Sequence, residues 1–304
     1  MGVRILLLLM ACLPAFADVV SDVRAAISDG DFVAGERFVS ESRDAEGVTP
    51  EMLEALSWLG RGSLQAGNLD AAFQYAAETR ELSFKLLATR ELDAERHLPI
   101  ALGASIEVQS HVMAQRGALS EAIAFLEGEL DRWSDTSIVT RIQKNVLLLS
   151  LEGKRAPALV SDQVLGAEFQ PISALEGDVV LLYFWAHWCP DCRFQAPILA
   201  RLHEEYAGRG LRIVGPTQLY GYRSRGEDAS PADELAWIRQ VMDEHYATLS
   251  DMPVPVSADN FINFGCSTTP TLVLVDREGI VNLYHPGRMT YEELEPRIAA
   301  LVAQ

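Results

Sequence analysis

Across residues 19–150 apolar positions recur three and four apart, prolines are few and β-branched runs are sparse. That is the period of amphipathic helices, so the first half of the chain is predicted to be all α. After residue 150 the period changes. Val179-Val180-Leu181-Leu182-Tyr183-Phe184-Trp185 is an unbroken apolar run rich in β-branched and aromatic residues. This is the pattern of a buried strand. Residues 193–206 return to helical spacing, with Phe194, Ile198, Leu199 and Leu202 on one face. Residues 211–215 read as the next strand, and residues 253–256 as a short extended piece. Ser230-Pro231-Ala232-Asp233 reads as N-cap, first-turn proline and capping acid of a helix reaching about residue 246. Residues 271–275 and 280–284 are predicted strands joined by a turn at Asp276-Arg277-Glu278-Gly279, and residues 290–303 a closing helix. Residues 159–169 are expected to give a leading strand or a hairpin turning at Gly166. Alternating strands and helices imply a small α/β sheet. Glu152-Gly153-Lys154-Arg155-Ala156-Pro157 breaks the helical period, placing the expected boundary between an α domain, 18–155, and an α/β domain, 156–304.

A chain of 304 residues, 49% hydrophobic and 22% charged, is globular. Its net charge of −18 argues against nucleic acid and against anionic membrane surfaces as partners. The first 17 residues read as a signal peptide. Arg4 precedes an apolar stretch over residues 5–13, and Ala15-Phe16-Ala17 is an A-x-A cleavage site. A second reading takes Leu9-Met10-Ala11-Cys12 as a lipoprotein box with Cys12 acylated. Both readings export the protein to an oxidising compartment such as the periplasm.

In the helical half one phrase returns: Gly30-Asp31-Phe32-Val33-Ala34-Gly35, Gly67-Asn68-Leu69-Asp70-Ala71-Ala72 and Gly117-Ala118-Leu119-Ser120-Glu121-Ala122. The glycine permits a left-handed helix end, and the last small residue lets two helices approach closely. With Leu59-Gly60 upstream of Gly67, the phrase resembles the turn of a tetratricopeptide repeat. The spacings of 37 and 50 residues depart from that repeat's regular period. An irregular helical-hairpin array is expected, serving as a platform for a partner protein or as a spacer or dimerisation surface. His97 is expected to pair with Asp93 on one helix face.

The chemistry concentrates at Cys189-Pro190-Asp191-Cys192. Two thiols at this spacing can close a small disulfide ring and open it again, carrying two electrons. A strand that runs into the pair at a helix start sets the first sulfur over the positive end of the helix dipole, where the reactive thiolate is favoured. Half of a zinc site is the alternative, but only Cys12 and Cys266 remain and no second ligand pair exists. Neither G-x-G-x-x-G nor a P-loop occurs, so no metal, flavin or nucleotide cofactor is expected.

Trp185-Ala186-His187-Trp188-Cys189-Pro190-Asp191-Cys192, Ala196-Pro197-Ile198-Leu199 and Thr269-Pro270-Thr271 together resemble the thioredoxin fold over about 150 residues. The long insertion before Thr268 resembles the secreted disulfide reductases of the TlpA and ResA type. By that resemblance Cys189 is an exposed attacking thiolate and Cys192 the resolving thiol. Pro270 is cis, the Thr269 backbone pairs with substrate, Trp188 flanks the active surface, Trp185 lies in the core and Pro197 kinks the helix. Two carboxylates of the resembled families are missing: their places hold Tyr183 and Gln195. Either water, His187 or a carboxylate from the insertion takes over, or exchange depends less on a buried base; His187 itself is expected to face solvent. Asp191 beside the thiolate should raise its pKa and make the couple more reducing. Cys266 is either a buried thiol or a third resolving one. The implied activity is exchange with protein disulfides or dithiols, the electrons coming from a membrane dithiol donor. A thiol peroxidase, or a scaffold working through its helical domain, are the alternatives.

Overall fold

The computed structural model describes residues 18–224 and 226–304. The expected leader, its cleavage site and Cys12 lie outside the described residues. Two compact units divide between Val112 and Met113.

The first unit holds α1 (Val19–Ser28), α2 (Phe32–Glu46), α3 (Pro50–Gln65), α4 (Leu69–Leu87) and most of α5 (His97–Gln115). Side chains of Asp18, Asp31, Thr49 and Asn68 accept backbone N–H groups at the starts of the first four helices. Each fills a donor that the helix itself leaves unpaired. The recurring phrases are helix-to-helix turns. Gly30, Gly67 and Gly117 all have positive φ, 76°, 75° and 88°. Gly60 of α3 lies 3.6 Å, measured from an added Cβ, from the backbone of Ala72 and Ala76 in α4, so small residues set that close approach. His97 and Asp93 do not share a helix face as expected. Asp93 lies in a separate 3-10 turn, Leu92–Ala94, while His97 opens α5 and its Nδ1 sits 2.8 Å from Glu54 Oε2.

The second unit begins with α6 (Leu119–Arg132) and α7 (Val139–Ser150). It continues through β1 (Val164–Gly166), β2 (Val179–Phe184), α8 (Pro190–Tyr206), β3 (Leu211–Val214), β4 (Tyr222–Ser224), β5 (Glu227–Asp228) and α9 (Pro231–His245). It ends with β6 (Pro253–Pro255), α10 (Ala258–Asn263), β7 (Thr271–Val275), β8 (Val281–Pro286) and α11 (Tyr291–Val302). The main sheet has the order β3-β2-β7-β8. β2 and β3 are parallel, whereas β7 is antiparallel to both β2 and β8. Every residue of β2 is buried, as its unbroken apolar run requires.

Period-two alternation splits the β2 side chains between two cores. Leu181 and Tyr183 pack with Leu199 of α8, Ile238 of α9 and Leu294 of α11. Val180, Leu182 and Phe184 pack with Phe261 of α10, Phe264 and Leu147 of α7. Helix α7 therefore covers the second face of the sheet, although its sequence period groups it with the preceding helices. Gly265 (φ 64°) makes that contact close: a Cβ there would stand 2.8 Å from the Lys144 backbone. The leading segment is a single short strand, not a hairpin. Gly166 lies at the end of β1, which pairs antiparallel with β6.

Candidate active site

β2 aims the chain at the amino-terminal end of α8. Cys189 is the N-cap residue, Pro190 takes the first helical position, and the Cys189 Sγ accepts the Cys192 N–H at 3.3 Å. Proline's fixed φ and missing N–H suit that position, and the helix dipole adds its positive end. As a thiol, Cys189 donates to the Thr269 carbonyl oxygen, 3.3 Å away. The Thr269–Pro270 peptide is cis. Residues 80 apart in the chain are thereby brought onto one sulfur.

The two thiols differ sharply. A hydrogen bond from the Cys192 side chain, followed by bonds from neighbouring groups that outweigh burial, brings Cys189 down to about 6. Burial pushes the Cys192 thiol upward, and the adjacent Cys189 sulfur adds to the shift. Contrary to the expected exposure, Cys189 is only 3% exposed. Its neighbours form the exposed rim: Trp188 at 42% and Phe194 at 51%. A cavity of about 320 Å³ beside them is lined by Trp188, Gln218, Tyr220, Cys266, Thr268 and Thr269.

Tyr183 fills the place of the missing aspartate. Its hydroxyl donates to the Cys192 carbonyl oxygen at 2.7 Å and lies 3.1 Å from the Tyr246 hydroxyl. Burial holds both phenols above their ordinary range, so both stay protonated. Gln195 is fully buried. Its Oε1 accepts the Met289 N–H at 2.8 Å and its Nε2 has no hydrogen-bond partner.

His187 does not face solvent. It is 1% exposed, with Nε2 at 3.1 Å from Glu234 Oε1. Burial lowers its pKa, with the Glu234 carboxylate opposing. Glu234 is fully buried and also accepts the N–H groups of Tyr220 at 2.6 Å and Gly221 at 2.8 Å. The Tyr220 ring packs edge-on against both His187 and Trp188. The insertion is thus fastened to the active-site strand by one carboxylate. Sequence reasoning missed Glu234, Tyr246 and Tyr220. The signal for Glu234 was its place on the apolar face of α9, in line with Ile238 and Val241, where a hydrophobic residue is expected.

Asp191 is exposed and 3.4 Å from Arg288, whose guanidinium stacks on Phe194. Trp185 is core, its indole N–H donating to the Gly215 carbonyl at 3.0 Å. Pro197 lies inside α8. Cys266 belongs to the core on the opposite sheet face from Cys189 and Cys192. Burial pushes its thiol up to about 12, and the Tyr284 hydroxyl lies 3.7 Å away. Among the described residues no cluster of three or more His, Cys, Asp or Glu side chains could hold a metal.

Residues 153–284 match the AhpC/TSA family. This half of the chain is similar in sequence to thioredoxin-like and thiol–disulfide oxidoreductase proteins. The thiol:disulfide interchange protein DsbE of Xylella fastidiosa (strain Temecula1) is 30% identical to it over 129 residues, covering 42% of this chain and 57% of that protein. The thioredoxin-like protein YneN of Bacillus subtilis is 29% identical over 150 residues, 48% of this chain and 78% of that protein. The thiol-disulfide oxidoreductase ResA of Bacillus thuringiensis is 26% identical over 147 residues, 47% and 74% of the two chains. A solved structure described as a thiol:disulfide interchange protein DsbE from Chlorobium tepidum aligns at 27% identity and a TM-score of 0.39, covering 50% of this chain and 97% of that one. The chain spans only 57% of the length of the two Xylella fastidiosa DsbE proteins it matches. The helical first unit lies outside the family match.

Proposed function

We propose that this protein is an exported thiol–disulfide oxidoreductase that exchanges electrons with protein substrates through Cys189 and Cys192. The observation that carries the reading is the asymmetry of the two thiols. Cys189 ionises near 6 at a helix start, one turn from a buried Cys192 that holds its proton. The Cys189 thiolate attacks a substrate disulfide, and one substrate thiolate leaves. Cys192 then gives up its proton and attacks Cys189 Sγ, expelling the second substrate thiolate and leaving the pair oxidised. The proton passes to the thiolate released first. A membrane dithiol donor returns the two electrons. Export rests on the leader-like first 17 residues. Among the described residues no helix is long and apolar enough to cross a membrane.

The Cys189 value supports a reductase-leaning couple. It sits near the roughly 7 of thioredoxin, a reductant, and far from the roughly 3.5 of the oxidant DsbA. Trp188 and the Thr269 backbone form the substrate rim, and Pro190, Asp191 and His187 modulate the pair. The first unit offers a surface for a partner protein. Insulin reduction by a dithiol, with the full chain and its Cys189→Ser variant, tests the activity. Catalysis by the wild type alone supports it; equal rates overturn it. Direct turnover of peroxide would favour a thiol peroxidase instead.

A further inference from the structure

Exchange in either direction places a thiolate on the inner sulfur. When a dithiol reduces the closed pair, its thiolate attacks Cys189 Sγ, the S–S bond breaks and the electron pair moves to Cys192 Sγ. In the opposite direction Cys192 must shed its proton before attacking Cys189 Sγ. That sulfur is fully buried, so its charge finds no water. No carboxylate stands at positions 183 or 195 to help. The group that stands there is a phenol. Tyr183 packs in the same buried core as Cys192 and donates to its carbonyl oxygen at 2.7 Å. The Tyr246 hydroxyl, 3.1 Å away and equally buried, holds the phenol from the other side.

We propose that the Tyr183 hydroxyl, oriented by Tyr246, is the hydrogen-bond donor that stabilises the Cys192 thiolate. The proposal rests on the dithiol exchange proposed above and assigns its inner half. A hydroxyl proton turns about its C–O bond to suit its acceptor. It rests on the Cys192 carbonyl while Cys192 is a thiol, and turns to the sulfur as charge develops there. Tyr246 donates to the Tyr183 oxygen, which strengthens the Tyr183 bond in turn. No atom is gained or lost in this step. A hydrogen bond to a charged acceptor is strong, so its loss should be visible in a rate.

The test uses the full chain, oxidised and then reduced by dithiothreitol, with thiols counted in quenched samples. Tyr183→Phe keeps the ring and is expected to slow reduction about tenfold or more, the equivalent of one charged hydrogen bond. Tyr246→Phe leaves Tyr183 packed and should slow it by a smaller factor, about threefold. In the Cys192→Ser background, capture of an aromatic disulfide by Cys189 should be unchanged by Tyr183→Phe, because the inner sulfur is gone. Wild-type reduction rates in Tyr183→Phe overturn the assignment. So does an equal slowing of Cys189 capture in the Cys192→Ser background, which marks a merely structural disturbance. If the wild type itself forms no reducible Cys189–Cys192 bond, the exchange reading fails first and takes this assignment with it.

Discussion

The two units differ in how they bury many of their polar groups. In the helical unit several are hydroxyls satisfied within their own helix, while buried Glu54 meets His97 over 43 residues. Ser57, Thr79, Ser83 and Ser105 each donate, at 2.7 Å, to a carbonyl three or four residues earlier. In the second unit the buried polar groups around the thiol pair reach across the fold. Tyr183 meets Tyr246 over 63 residues, His187 meets Glu234 over 47, and Gln195 meets Met289 over 94. A local bond forms wherever its helix forms, and it specifies little beyond that helix. A long-range bond exists only when the whole fold is in place, so it can hold a reactive group in one geometry. The titratable groups of the site all belong to the second kind.

The contrast can be broken most forcefully at Cys189. Cys189→Ser should reduce insulin turnover to the background rate without a comparable loss of stability, since a serine retains the N-cap role. A variant that is inactive because it is unfolded, by circular dichroism, would remove the point.

Next comes the anchor of the insertion. Glu234→Ala leaves His187 and two backbone N–H groups without their acceptor, and should destabilise the second unit by about 3 kcal/mol. Urea denaturation measures it. The matching change in the first unit, Ser57→Ala, removes only a local bond and should stay below about 1 kcal/mol. Equal losses would erase the distinction between the two kinds of burial.

The pH response sharpens it further. The thiolate is the reactive form, so alkylation of Cys189 should rise with pH around a midpoint of about 6 and level off above it. At pH 5 the rate should be about one tenth of the plateau. The sign for stability follows from the same shift. The folded thiol ionises below its ordinary 9.0, so the reduced fold gains fully above that value and loses the gain as pH falls through about 6. A midpoint near 9 would show that the helix start does not activate this sulfur.

The smallest effect lies at the rim. Asp191→His removes a negative charge beside the thiolate and should raise the reduction potential by roughly 30 mV. Arg288 already pairs with Asp191 in an exposed setting, which limits the change. A potential that stays put or falls contradicts the role given to Asp191.

Much of this architecture was legible along the chain. The strand 271–275, the helix opened by Ser230-Pro231 and the three glycine turns stand where the patterns put them. Each depends on signals a few residues apart: alternation, caps, or a glycine's tolerance of positive φ. The attachment of α7 was not legible. Its amphipathic period matches the helices before it, and which surface receives its apolar face depends on Phe264 and Gly265, more than a hundred residues later. His187 misled, and Glu234 was missed, for the same reason. Each is polar and reads singly as surface, yet together they satisfy one another and can be buried.

The amino-acid order alone determined the thiol pair, its place between a buried strand and a helix, and the left-handed glycine turns, because all of these are matters of near neighbours. Only the tertiary structure decided that Cys189 lies under cover against Thr269, that Tyr183 and Tyr246 meet beside Cys192, and that Glu234 ties the insertion to His187. Those contacts span tens of residues. Their energies come from excluding water around groups that the sequence leaves far apart.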